Sequence, residues 1–332
     1  MAKRFELSRR QLMTGTAMLA ATVPLAKVGA QTATADPDLS GKSVLITGCS
    51  SGFGRLGAEY YARRGAKVFA TMRNLPRPEA NELTALAAGE NLDIEVIEID
   101  VLSDGSVATG VEQALAQTSG TLDVLINNAG IGITGPVEVQ DMEATRLAFD
   151  TNVFGCQRMI RAALPAMRAA GSGQIFCISS QLGRLVVPGA GHYSATKFAL
   201  EALSEQMAYE LVPLGIDVTI IQPGGYPTKI WVNRNVYTAD LKARTPEAML
   251  ASYGPLAAGM GKEDGTRRTA DPMDVPRAIA EIMAMPAGKR PLRKAVHPIY
   301  RPQEGVNAAM AEAQLKFLGN SAYGPWIRAV QD

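Results

Sequence analysis

Val44-Leu45-Ile46-Thr47-Gly48-Cys49-Ser50-Ser51-Gly52-Phe53-Gly54 decides the fold. A short apolar, β-branched run makes a buried strand, and the glycine-punctuated stretch after it turns the chain into a helix. Such a turn offers backbone N–H groups and a helix N-terminus to a pyrophosphate. Gly48 can take a positive φ, Gly52 lets the backbone approach the phosphates, and Gly54 allows helix and strand to pack closely. Ser50, Ser51 and Phe53 complete the expected cradle.

Outward from this loop the same alternation repeats. Strands are expected at 43–47, 67–71, 94–99, 122–126, 174–178 and 217–222. Helices are expected at 53–64, from 104 with Ser103 as its cap, at 141–170 and at 192–214. Strands this apolar, separated by helices, belong to a parallel sheet covered on both faces. The predicted fold class is α/β: a doubly wound parallel sheet (Rossmann fold), three-layer α/β/α, in a single domain spanning 41–300. After Pro223 the periodicity weakens. Residues 226–268, rich in Gly, Pro and Met and carrying Trp231, Tyr237 and Tyr253, are expected to form a mobile lid over an apolar pocket. Asp271-Pro272 should start a helix to about Met285, 291–297 should be a last strand, and 301–332 a helical extension.

Downstream, Tyr193 and Lys197 stand four residues apart, thirteen and more after Ser180. At that spacing the two share one face of a helix. There an ammonium can lower a phenol pKa from about 10 toward the range useful to an acid/base catalyst. A phosphate cradle combined with an activated phenol points to hydride chemistry on an alcohol or ketone. Taken singly, Tyr193 would be an ordinary amphipathic tyrosine and Lys197 a solvated charge; the combination carries the reading.

The motifs in order are TGCSSGFG, Asn127-Asn128-Ala129-Gly130, Asn152, Ser180, YSATK and Pro223-Gly224-Gly225-Tyr226-Pro227-Thr228. Together they resemble a short-chain dehydrogenase/reductase of the compact single-domain branch, over about residues 40–300. The loop, ATMRN and the helix beginning YSATK are most similar to the 17β-hydroxysteroid and retinol dehydrogenases. The resemblance implies that Tyr193 is the general acid/base and that Lys197 assists it and holds the nicotinamide ribose. It also implies that Ser180 hydrogen-bonds the substrate oxygen and that Asn152 holds a water behind Lys197. Asp100 and Val101 would border the adenine, and Asn128, Ala129 and Gly130 the adenosine ribose. The loop bearing Pro223, Gly224 and Thr228 would touch the carboxamide, with Tyr226 and Pro227 unusually bulky inside it. Cofactor choice turns on the end of the second strand, which reads Ala70-Thr71-Met72-Arg73 with no carboxylate for a ribose 2′-OH. Arg73 suits a 2′-phosphate, so NADP(H) is expected over NAD(H).

Composition sets further bounds. The 332 residues are 47% apolar with a net charge of +1, enough for a large core. No basic patch with interleaved aromatics appears, so nucleic acid is not an expected partner. Cys49, Cys156 and Cys177 lack metal-ligand spacing and read as small buried hydrophobes, and neither His192 nor His297 has a ligand partner, so no metal is expected. The N-terminus is basic. Arg9-Arg10 within SRRQLM precedes an apolar stretch at 12–26, and Val28-Gly29-Ala30 offers a cleavage site. This resembles a twin-arginine export signal over residues 1–30, with 31–40 as a link. It is too short and polar to span a membrane. Localisation would then be periplasmic, with the translocon as a partner, and cytoplasmic if the leader does not function. A periplasm has no obvious NADP(H) pool, so an exported enzyme would hold its cofactor tightly and recycle it through a second substrate.

The expected activity is interconversion of an apolar secondary alcohol and ketone, with homodimer or homotetramer as the assemblies to consider. A non-catalytic nucleotide-binding sensor or scaffold is the alternative, and it would not need the four residues Asn152, Ser180, Tyr193 and Lys197.

Overall fold

β1 (Ser43–Ile46) is buried along its whole length, as a strand covered on both faces must be. The structure, a computed structural model, describes residues 36–331; the expected leader and the first part of the expected link lie outside the described residues. β1 pairs in parallel with β2 (Lys67–Met72) on one side and β4 (Val124–Asn127) on the other, Ile46 lying level with Ala70 and with Ile126. With β3 (Ile94–Glu98), β5 (Gly173–Ile178), β6 (Ile216–Pro223) and β7 (Arg293–Val296) they form a parallel sheet of order β3-β2-β1-β4-β5-β6-β7. Strand order reverses between β1 and β4, so the loops leaving those strands diverge and open a crevice at their C-terminal ends.

Helices cover both faces. On one, α1 (Gly52–Arg63), α2 (Pro78–Glu90) and α10 (Asp274–Met283) bury Tyr61, Leu83 and Met283 against Val44, Ile46 and Val68. On the other, α3 (Asp104–Ala116), α5 (Gly155–Ala170) and α6 (Tyr193–Leu211) bury Val111, Met159 and Leu200 against Leu45, Phe69 and Leu125. Ser103 caps α3 as expected, its hydroxyl accepting from the Ser106 N–H at 3.2 Å.

Several elements differ from the sequence reading. α2 occupies an interval to which no element was assigned, because its buried face is Ala80, Leu83 and Ala87 and shows no apolar stripe. The helix expected over 141–170 is α4 (Met142–Phe149) and α5 joined by a π turn, Asp150–Phe154. α10 starts at Asp274, since the Asp271 carboxylate turns back to accept from the Met273 N–H at 3.0 Å. The lid is helical: α7 (Ile230–Arg244), α8 (Glu247–Ser252) and α9 (Gly254–Gly259). Pro246 and Gly254-Pro255 at the junctions cut its periodicity short. These helices cover an apolar cluster of their own, with Ile131, Ile133, Leu241 and Met260.

At the C-terminus the expected helix is α11 (Gln303–Leu318), and a further one, α12 (Gly324–Gln331), follows it. Both dock on the sheet unit. Asn307 donates to Gln222 Oε1 at 2.7 Å, and Gln331 donates to Glu205 at 3.0 Å. At the other end Leu39, in the expected link, is fully buried and its N–H bonds the Arg64 carbonyl at 2.8 Å. The three cysteines are buried and free, and burial pushes the thiols of Cys49 and Cys156 up to about 12. Among the described residues no helix is long and apolar enough to cross a membrane.

Candidate active site

The crevice is a cavity of about 940 Å³ running from the glycine loop to the lid. At its first end Gly48 has φ +75°, and a Cβ there would lie 3.0 Å from the Ala129 backbone. Gly54 sits deeper. A Cβ on it would meet the Gly48 carbonyl and the Asn128 amide at 2.5 Å, so the loop closes only over a hydrogen atom. Gly54 therefore packs beneath the cradle and does not line the cavity, while Gly48, Ser50, Ser51, Gly52 and Phe53 do. The cradle is stapled to the neighbouring strand by Thr47, which the sequence reading placed in the loop without a role of its own. Its hydroxyl accepts from the N–H groups of Asn128 and Ala129, each at 2.9 Å, and Asn128 returns a bond to the Thr47 carbonyl at 2.8 Å. Ser51 is the N-cap of α1 but makes no side-chain capping bond. The first N–H groups of that helix remain available to an anion.

The reacting end is built from three elements. Tyr193 begins α6 and Lys197 follows one turn later, its Nζ 5.6 Å from the centre of the Tyr193 ring. Lys197 is buried, and its ammonium donates to the Ile178 carbonyl at 2.7 Å. Ser180 caps a short 3₁₀ turn beyond β5, its Oγ accepting from the Leu182 N–H at 3.1 Å. That bond leaves the hydroxyl proton for another acceptor. Ser180, Tyr193 and Lys197 all line the cavity.

Asn152 does not reach the cavity surface. It sits in the π turn, 1% exposed, with Oδ1 accepting from the Ile131 N–H at 2.8 Å. Its amide donates to the Ile131 carbonyl at 2.9 Å and to Thr196 Oγ1 at 3.1 Å, and Thr196 in turn bonds the Tyr193 carbonyl at 2.8 Å. Asn152 thus ties the loop after β4 to the start of α6. The Thr196 end of this tie lies more than forty positions away in sequence.

The remaining predicted residues fall around the same space. Asp100, Val101, Asn128, Ala129, Gly130, Pro223, Gly224 and Thr228 line it, as does Arg73, which donates to the Tyr237 hydroxyl of α7 at 2.8 Å. Arg77, which the sequence reading did not name, lines it as well and bonds the Arg73 carbonyl at 3.3 Å. A second arginine in the loop leaving β2 was the available signal. Tyr226 also borders the cavity but is only 2% exposed, its ring set edge-on against Phe53 and His297 with centroids 5.5 Å from each, so most of its bulk is taken up by packing. Burial pushes its phenol pKa up. His297 is occupied locally, Nδ1 accepting from the Tyr300 N–H at 3.1 Å.

These features fit a nicotinamide dinucleotide: an uncapped helix N-terminus, a loop that admits no Cβ at Gly54, and a cationic side chain at the end of β2. Comparison with known proteins agrees. The family description "short chain dehydrogenase" matches residues 42–237. A 3-ketodihydrosphingosine reductase of Bacteroides thetaiotaomicron is 40% identical over 193 residues, 58% of this chain and 67% of that one. Human retinol dehydrogenase 8 is 35% identical over 275 residues, 79% of this chain and 83% of that one. Among solved structures, a short-chain dehydrogenase from Streptomyces avermitilis superposes with TM-score 0.65 at 31% identity, covering 86% of this chain and 99% of that one. The chain belongs to the short-chain dehydrogenase/reductase family and is an NAD(P)-dependent oxidoreductase.

Proposed function

We propose that the protein uses NADP(H) to interconvert an apolar secondary alcohol and its ketone, of steroid, retinoid or similar lipid-like character, with Tyr193 as general acid/base. The observation that carries this reading is the shared wall of Tyr193, Ser180 and Lys197 in a cavity that continues under an apolar lid. Two relatives are named for an alcohol and a ketone, retinol and 3-ketodihydrosphingosine. The cofactor supplies or accepts the hydride. Ser180 and Tyr193 hydrogen-bond the substrate oxygen, and Tyr193 gives it a proton in reduction and takes one back in oxidation. Lys197, fixed by the Ile178 carbonyl, is the positive charge beside the phenol and the donor for the nicotinamide ribose. The lid side chains Leu256 and Met260, together with Ile133 of the loop after β4, exclude water from the reacting carbon. Assaying a panel of ketones through nicotinamide absorbance tests the class. Turnover that rises from small polar ketones to large apolar ones supports it, and turnover confined to polar ketones or sugars overturns it.

Arg73 supports NADP over NAD, since β2 ends without a carboxylate and the guanidinium has donors left beyond the one given to Tyr237. Arg73→Ala is expected to weaken NADP by roughly ten- to a hundredfold, about 1.5–3 kcal/mol, and to leave NAD nearly unchanged. Titrating both nucleotides against both proteins checks it; equal affinities in the wild type would refute the assignment.

The chain is further proposed to be exported through Arg9-Arg10, a reading supported by the sequence alone. Replacing both by Lys keeps the charge and removes the pair. Fractionated cells should hold the wild type in the periplasm, beginning near Gln31, and the double variant in the cytoplasm. Finding both full length in the cytoplasm would sink the idea.

A further inference from the structure

Arg234 of α7 lines the same cavity as Tyr193 and stands close to it. A Cβ built on Gly132 would lie 3.6 Å from Arg234 Cβ and 3.7 Å from Tyr193 Cδ2. The side chain is half-buried, and its Nε is buried without a hydrogen-bond partner. Its guanidinium lies over the Trp231 ring at 4.3 Å, and the Arg268 guanidinium lies over that ring at 3.4 Å. Glu263, the acid that acts on Arg234, is already paired with Arg268 at 2.7 Å. Two guanidiniums and one carboxylate leave one positive charge over, in a cavity that also carries the apolar side chains Ile133, Val187, Leu256 and Met260. Burial holds the Arg234 guanidinium below the usual arginine range, as expected of a cation whose hydration has been removed without a full replacement.

Taking the cavity as the substrate site of the oxidoreductase proposed above, we infer that Arg234 binds an anionic group on the substrate. The substrate class is then a hydroxy or oxo compound with an apolar arm and a carboxylate, sulfate or phosphate within reach of the reacting carbon. The cofactor's phosphates have their own donors at the N-terminus of α1 and at Arg73, whereas Arg234 lies beside Tyr193. A desolvated guanidinium forms charge-assisted hydrogen bonds stronger than those at a wet surface.

Binding separates this from the oxidoreductase reading. Calorimetry on the NADP-loaded enzyme compares octanoate with 1-octanol, which share a chain and differ in charge, and includes octyl sulfate and octyl phosphate to identify the anion. At least one of the anions should bind tenfold or more tighter than octanol. Arg234→Met should abolish that difference, and Arg234→Lys, which keeps the charge, should retain part of it. Octanol binding as well as all three anions, a preference that survives in Arg234→Met, or a Lys variant as indifferent as Met would each overturn the inference. So would a loss of NADP affinity in Arg234→Met matching the loss of anion affinity, because the arginine would then serve the cofactor. Failure to reduce any ketone while octanoate binds through Arg234 would count against the oxidoreductase reading alone.

Discussion

Tyr193→Phe is expected to lower turnover by a factor on the order of 10²–10⁴ while leaving nucleotide binding intact. The substitution removes one hydroxyl and keeps the ring against which Lys197 is placed. Nothing else at the start of α6 depends on that oxygen: the helix is tied to Asn152 through Thr196 and the Tyr193 carbonyl, both of which remain. The cradle at Gly48–Gly54 is untouched, so nucleotide titration should give the wild-type affinity. Steady-state assay of the variant on the best ketone of the panel checks it. A variant retaining more than about a tenth of wild-type activity would remove Tyr193 from the role of proton donor.

Arg293→Met is expected to cost about 3–5 kcal/mol of stability, the usual loss when one partner of a buried ion pair is removed. Arg293 on β7 donates to Glu201 at 2.9 Å and to Glu205 at 2.5 Å, and the Glu201 side chain is only 1% exposed. Arg184 at 3.3 Å is the other cation on Glu201, and Gln222 donates to it at 2.8 Å. Removing Arg293 leaves two carboxylates on α6 with one half-buried arginine between them. Methionine fills similar volume, so the loss comes from uncompensated charge and not from a cavity. Urea unfolding of both proteins by circular dichroism measures the change, and a loss under about 1 kcal/mol would mean that water reaches the pair. Because Glu201 lies one turn beyond Lys197, the same cluster anchors the helix that carries Tyr193 and Lys197. It also reaches the C-terminal segment, through Gln331 on Glu205 and Asn307 on Gln222.

What was legible in the sequence was local. The glycine loop needs its residues at fixed offsets around one turn, and Tyr193 and Lys197 need only one helical turn between them, so both could be read from spacing. The strands were legible because a sheet buried on both faces demands unbroken apolar runs. Elements held by distant partners were not. α2 buries alanines and left no stripe, and the π turn at Asn152 is fixed by Ile131 and Thr196, far away in sequence. α8 and α9, six residues each, are too short for a period to emerge between Pro246 and Gly254-Pro255, and α7 buries only Thr238 and Leu241 along its fifteen residues, so it shows no apolar stripe. Arg234 carries no local signal, since Trp231, Gly132 and Tyr193 are brought around it only by the fold.

Transfer of deuterium from NADPH carrying deuterium at both nicotinamide C4 positions to a ketone tests the central claim most directly. With the wild type, mass spectrometry should find one deuterium on the carbinol carbon of the alcohol formed, with the hydroxyl proton drawn from solvent. Tyr193→Phe should form that labelled alcohol at least a hundredfold more slowly while binding the nucleotide as well as before. Alcohol without carbon-bound deuterium, labelled alcohol formed equally fast by Tyr193→Phe, or no product from any ketone of the panel although the nucleotide binds would contradict the account.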